Sequence, residues 1–238
     1  MADGIHPFLV EITGPAGAGK STLTRLMCEG GGDYQRAEFI DARTPEHLAY
    51  IVACIPRLLP MLIRNLGPGP RLSWPDFKLI VYATAWRRLL DRRPAYRRGV
   101  TLLDQGPVYA LVRLKAQGKK VTSSATFERW WDQTIERWAD HLAAVVYLDS
   151  SDEVLLDRIN AREQPHGTKG EPPSVGKEFI QRYRRLFEEA LRRLDRPGGP
   201  EILPFDTGAM AGEQIAAELP PILAARLHPR VAGSEGRR

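Results

Sequence analysis

The chain has 238 residues, 43% hydrophobic and 26% charged, and 34 basic residues against 29 acidic give it a net charge of +5. A chain of this length buries roughly 70–75% of its unfolded surface, so a full core needs no disulfide or structural metal; Cys28 and Cys54, without CxxC spacing, are expected as reduced thiols. The mild basic excess suits anionic ligands and does not by itself indicate nucleic acid, which usually shows as a concentrated basic face; MADGIHPF carries no signal-peptide pattern, and no run approaches the ~20 apolar residues of a membrane span, so a cytoplasmic protein without membrane insertion is expected.

In chain order, PFLVEIT reads as a short buried strand closed by Gly14, and a helix follows from about Gly19 to Cys28, with Leu23, Leu26 and Met27 at helical spacing. The glycines of GGGD (30–33) end that helix, and AEFIDA (37–42) is expected as the second strand. Residues 45–66 are mostly helical, with bends near Pro56 and Pro60, and GPGP (67–70) is a loop. A strong helix spans 75–93 with Pro75 well placed at its start, and VTLLD forms the third strand. Helix 107–117 and an amphipathic helix over 123–142 follow, the latter turning Trp130, Ile135 and Trp138 inward. AAVVYLDSS is the fourth strand, 152–163 a helix, 164–176 a polar Gly/Pro-rich loop, 177–194 a long helix, EILPFDTG the fifth strand and 212–227 the last helix, before a frayed tail from 229. Short apolar strands alternating with helices predict an α/β fold: a five-stranded parallel sheet covered by helices on both faces, in a single domain over 1–228.

One motif is specific. GPAGAGKST, Gly14 to Thr22, fits G-x-x-x-x-G-K-[ST], with a strand before it and a helix after it. This is the phosphate loop of P-loop NTPases. Its glycines let the backbone of Gly14, Pro15, Ala16, Gly17, Ala18 and Gly19 curl so that N–H groups point at phosphate oxygens, and the helix N-terminus at Ser21 and Thr22 adds favourable partial charge. Lys20 is placed to reach β/γ-phosphates and Ser21 to put its hydroxyl on Mg²⁺, so ATP and Mg²⁺ are the expected cofactors. A guanine-reading N-K-x-D is missing, and the strands end in LLDQ and YLDS rather than in an acid pair, which favours a small-molecule kinase over switch GTPases and motor ATPases.

Over most of the chain, ordered landmarks resemble the thymidylate kinase and deoxynucleoside kinase group. The phosphate loop is the strong landmark. FKLIVYATAWRR resembles the group's apolar helix that brings an Arg, here Arg87, towards the acceptor, and VTLLDQG sits where the group has a strand ending in Asp-Arg or Glu-Arg. The segment from WADHL to NARE resembles the fourth strand and the helix into a lid (about 158–177), where Arg158 and Arg162 reach the transferring phosphate; ILPFDTG resembles the last strand and the adenine loop. Gln105 departs from the pattern by putting a neutral amide where the group has Arg, so the acceptor's identity does not carry over.

Asp104 is a candidate metal ligand (through water) or proton acceptor at the strand's C-terminal end, the alternative being a cap on the next helix. Asp41 is the rival base, with Arg43 beside it as a substrate contact. Arg158 and Arg162, four apart, share one helix face and form a candidate γ-phosphate clamp. Trp74, Arg87, Gln105 and Tyr109 are candidate acceptor contacts, although aromatics at helical spacing are also ordinary core. The further arginines from Arg88 onward read as a solvated basic surface. The leading expectation is transfer of the γ-phosphate of ATP to a nucleoside, nucleotide or sugar-like acceptor, by a monomer or a homodimer. Alternatives are an ATP-binding regulatory or assembly protein and a sulfotransferase-like enzyme.

Overall fold

The structure, a computed structural model, describes residues 8–40, 44–59, 73–92, 96, 99–117, 124–163 and 167–234. Its strands are β1 (Phe8–Thr13), β2 (Tyr34–Arg36), β3 (Val100–Asp104), β4 (Leu142–Asp149) and β5 (Glu201–Asp206). They form one sheet in the order β2-β3-β1-β4-β5, with every pair parallel. Its helices are α1 (Lys20–Glu29), α2 (Pro45–Val52), α3 (Trp74–Arg92), α4 (Pro107–Ala116), α5 (Ala125–Ala139), α6 (Asp152–Ala161), α7 (Pro173–Leu194) and α8 (Gly212–Ser234). A further helical turn covers 55–59.

Alternation along the strands sends side chains to two cores. Val10 and Ile12 of β1 join Leu102 and Val146 under α1 and α8, where Leu23, Met27, Ile215 and Leu219 are buried. Leu103 and Val145 face the other way, towards α3, α4, α5 and α7, a layer filled by Trp86, Trp131, Trp138 and Phe187. Trp130, Ile135 and Trp138 turn inward as the amphipathic pattern predicts, and Trp131 joins them. Among the described residues no helix is long and apolar enough to cross a membrane.

Four element boundaries differ from the sequence expectation. The second strand is Tyr34–Arg36 rather than 37–42. Gly31 and Gly32 turn the chain with positive φ, and the Asp33 carbonyl already accepts from Val100 N–H, so the strand enters the sheet before Ala37. Beyond Ala37 the backbone leaves the ladder: Glu38 N–H donates to the Tyr96 hydroxyl, and its carbonyl accepts from the Trp86 indole. The long helix at 45–66 breaks at 53–54, just ahead of Pro56; Pro60 and GPGP lie outside the described residues. The polar loop ends by Pro172, because Pro173 opens α7, and α8 continues through Ser234 where a frayed tail was expected.

Candidate active site at the phosphate loop

The loop between β1 and α1 sits at the C-terminal end of the central strand. Gly14 has φ of 145°, and a Cβ there would lie 2.0 Å from the Leu148 carbonyl oxygen, so only glycine lets the loop press against β4. Ala16 is half-buried against the core beneath α1 and α8, and Ala18 is wholly buried in it. Neither methyl can bond a phosphate, so Ala16 and Ala18, like Gly17 between them, have only backbone N–H groups to give one. Gly19, the N-cap of α1, is left-handed with open space around it. The Lys20 ammonium folds back over the loop, donating to the carbonyls of Gly14 (2.9 Å) and Pro15 (2.7 Å). Burial pushes it down to about 7; the Asp104 carboxylate works against that shift and the Arg162 charge adds to it. The next two side chains, Ser21 and Thr22, are exposed at the helix start.

Asp104 ends β3 fully buried, and Arg36, the last residue of β2, reaches it with Nη2 2.8 Å from Oδ2. Oδ1 is buried with no hydrogen-bond partner among the described residues. Asp104 is not a helix cap. The first free N–H groups of α4, on Val108 and Tyr109, both donate to Glu11 of β1 at 2.9 Å, and the N-cap residue is Gly106. Glu11 is wholly buried, and burial pushes its carboxyl up to about 8 against the lowering effect of those two bonds. Gly106 makes room for it, since a Cβ there would stand 2.6 Å from the Glu11 carboxyl carbon.

Between Asp104 and α4 the chain turns on Gln105, the one non-glycine with positive φ (56°) among the described residues. A left-handed conformation at such a residue stores roughly 1–2 kcal/mol. Tyr109, one turn into α4, has its ring 5.3 Å from the Lys20 ammonium. Its phenol is raised by burial, opposed by Arg113 and Arg162 and reinforced by Asp104, so these charges converge on it.

An aromatic wall closes the other side. Phe39 stacks on Tyr82 (5.6 Å) and Trp86 (5.7 Å), and the Arg36 guanidinium lies 6.0 Å from the Phe39 centroid. The Tyr82 hydroxyl is buried and unbonded among the described residues; burial raises it well above its ordinary value, and Glu11 and Asp104 raise it further.

The sequence-predicted residues divide accordingly. Lys20, Asp104, Gln105 and Tyr109 meet around the loop. Arg158 and Arg162 do not share a helix face, because α6 ends at Ala161 and Arg162 has extended backbone (φ −74°, ψ 146°). Arg158 is a strut, donating to the hydroxyl and the carbonyl of Thr207 at 2.8 Å each and reaching the Gly17 carbonyl at 3.5 Å. It thereby ties the phosphate loop to the turn after β5. The exposed Arg162 is the one whose charge reaches Lys20 and Tyr109. Trp74 is 63% exposed and stacks on Phe77, apart from the aromatic wall. Arg87 turns to the opposite side of α3, beside Asp91. Asp41 and Arg43 lie outside the described residues.

Two site residues escape sequence reading. Glu11 had a signal, a carboxylate inside the buried strand FLVEIT, and Arg36 had none once β2 was placed three residues late. Asp104 Oδ1 and the Ser21 hydroxyl, one buried and unbonded and the other exposed at the loop, are oxygen donors of the kind Mg²⁺ takes alongside substrate phosphates.

The parallel sheet in the order 2-3-1-4-5, with a G-x-x-x-x-G-K-S loop on its central strand, is an α/β P-loop fold shared with deoxynucleoside and thymidylate kinases of known structure. Particular structures similar to the chain are thymidylate kinase from Candida albicans (15% identity, TM-score 0.58, 92% of each chain covered) and deoxyadenosine kinase from M. mycoides with bound dATP (16% identity, TM-score 0.53, 90% of this chain and 99% of that one). The same deoxyadenosine kinase with dCMP and a flexible dCDP bound gives 16% identity, a TM-score of 0.52 and coverage of 92% and 100%. No protein-family model matches the sequence, and no curated protein does. At this identity the likeness is one of fold.

Proposed function

We propose that the protein is an ATP-dependent kinase of a small molecule, transferring the γ-phosphate to a hydroxyl or phosphate oxygen of a nucleoside, nucleotide or sugar-like acceptor. The observation that supports this reading is the unbonded oxygen of buried Asp104, whose carboxylate charge reaches Lys20 of the phosphate loop. For a hydroxyl acceptor, Asp104 Oδ1 accepts its hydrogen bond while Arg36 holds the carboxylate in place through Oδ2. The acceptor oxygen forms its bond to the γ-phosphorus, the bond to the β–γ bridging oxygen breaks, ADP departs and the proton passes to Asp104.

Backbone N–H groups of the loop and the Lys20 ammonium hold the triphosphate, and Arg162, whose charge reaches Lys20, offsets the charge that spreads over the transferring oxygens. Ser21 and Asp104 are the residues that would hold Mg²⁺, which would supply charge neutralisation for the phosphates. The half-exposed ring of Phe39, stacked on Tyr82 and backed by the buried Trp86, offers a flat apolar face near the carboxylate, which suits a ring-bearing acceptor.

The test is ADP release with Mg-ATP across a panel of nucleosides, nucleotides and sugars. At least one acceptor should be turned over, and Lys20→Ala should abolish that turnover. Silence across the panel, or full activity in Lys20→Ala, would sink the reading.

A further inference from the structure

Helix α3 has two working faces. Tyr82 and Trp86, four apart, look towards Phe39 and the candidate active site. The face carrying Thr84, Arg87, Arg88 and Asp91 looks the other way, into a cleft of about 640 Å³, a size that takes a small molecule. The turn at 53–59 closes one side of the cleft with Arg57, α5 closes another with Arg137, and Arg92 lies at the end of α3.

Five guanidinium groups thus meet one carboxylate. That carboxylate, Asp91, is engaged by Arg87 in a long 3.5 Å ion pair that leaves Arg87 Nε buried without a hydrogen bond among the described residues. Arg88 Nη1 donates to the Ala53 carbonyl at 2.6 Å, and Arg92 lies 5.8 Å from the Tyr50 ring centroid. The Arg57 and Arg137 side chains have neither a hydrogen bond nor an ion pair among the described residues. The Cys54 thiol senses Arg88 and Arg57 together, both opposing the upward push of its burial, which places these two guanidinium groups around one point.

Like charges gathered in a concave wall repel one another until an anion enters, and guanidinium forks match phosphate oxygens two at a time. We infer that this cleft is a second anion site, independent of the phosphate loop, that takes a small oligophosphate: a molecule with at least two linked phosphate groups. The arginines come from three separate segments, and a single phosphate ion does not span a cavity of this size. A nucleic acid fits less well. The aromatic of the cleft, Trp138, is 2% exposed and gives its indole N–H to the Ala83 carbonyl, so it offers no face on which a base stacks.

The experiment is calorimetric titration of Lys20→Ala protein with inorganic tripolyphosphate, without Mg²⁺, so that its outcome is separate from that of the phosphotransfer reading. One equivalent should bind, at least tenfold more tightly than orthophosphate. Affinity should fall at least tenfold in the Arg57→Gln/Arg137→Gln protein and rise in Asp91→Asn, a gain that misfolding does not produce. The inference is overturned by absent binding, by unchanged affinity in both sets of variants, by orthophosphate binding as tightly as tripolyphosphate, or by a single-stranded RNA of equal charge binding more tightly than either.

Discussion

Arg36 Nη2 stands 2.8 Å from Asp104 Oδ2 and joins the C-terminal ends of two adjacent strands beside the phosphate loop. The partners are unequal: the Asp104 side chain is 2% exposed and that of Arg36 is 52%. Removing Arg36 therefore leaves a buried carboxylate unpaired, whereas removing the Asp104 charge leaves a cation that water solvates. Arg36→Ala should destabilise the fold by about 1–3 kcal/mol. Asp104→Asn should unfold near the wild-type denaturant midpoint while turnover falls about 10²–10⁴-fold. Urea melts and steady-state kinetics on both variants check the asymmetry, and equal stability losses would contradict it.

Nucleotide binding should take up a proton at mildly alkaline pH. Burial holds Lys20 at about 7, so at pH 8 its amine is mostly neutral, and triphosphate oxygens beside it restore the charged form. Calorimetry of ATP binding at pH 8 in buffers of different ionisation enthalpy should show uptake of about one proton, falling towards zero at pH 6. The uptake should vanish in Lys20→Ala.

What the sequence shows plainly is whatever repeats or is bounded sharply. FLVEIT, VTLLD and AAVVYLD are apolar runs stopped by glycine or acid, and their parallel order follows from the helices between them. Tyr34–Arg36 is short, polar and at the sheet edge, so burial imprints no pattern on it, and the more apolar AEFI beside it attracts the assignment. The later placement leaves Arg36 out of the strand, and with it the partner of Asp104. The Arg158/Arg162 pair misled for a different reason. Their spacing implies a shared face only while the helix continues, and α6 stops between them. Nor does spacing alone show that Arg57, Arg87 and Arg137 converge, because three separate segments bring them together.

Two loop glycines should respond differently to alanine. At Gly14 the new methyl would overlap the Leu148 carbonyl, so β4 or the loop must move; at Gly19 only the left-handed backbone resists, at roughly 1–2 kcal/mol. Gly14→Ala should lower the midpoint of thermal unfolding clearly more than Gly19→Ala. The reverse order would show that β4 yields easily and that the close approach does not constrain the loop.

Arg158 should act on nucleotide binding more than on the chemical step. It braces Thr207 and the Gly17 carbonyl rather than the reacting oxygens, so Arg158→Ala loosens the loop and the turn after β5 against each other. KM for ATP should rise about tenfold with kcat within a few-fold of wild type, whereas Arg162→Ala should lower kcat with KM nearly unchanged. The opposite split would return Arg158 to the phosphate clamp.

Glu11 should make the fold less stable as pH rises. Its carboxyl sits at about 8 in the folded chain against 4.5 when exposed, so the folded state holds the extra proton between those values. The contribution is complete below pH 4.5 and is lost as pH climbs through 8, an effect on the order of 5 kcal/mol for a fully buried group. Lys20 slopes the other way, between about 7 and 10.5, because its folded form has already released its proton. Glu11→Gln carries no titrating proton, so its urea stability should follow the wild type at pH 4.5 with a constant offset and gain on it steadily up to pH 8. The two backbone donors on Val108 and Tyr109 favour the ionised carboxylate and narrow that window. A stability difference independent of pH would mean that they prevail over burial, leaving Glu11 charged beneath α4.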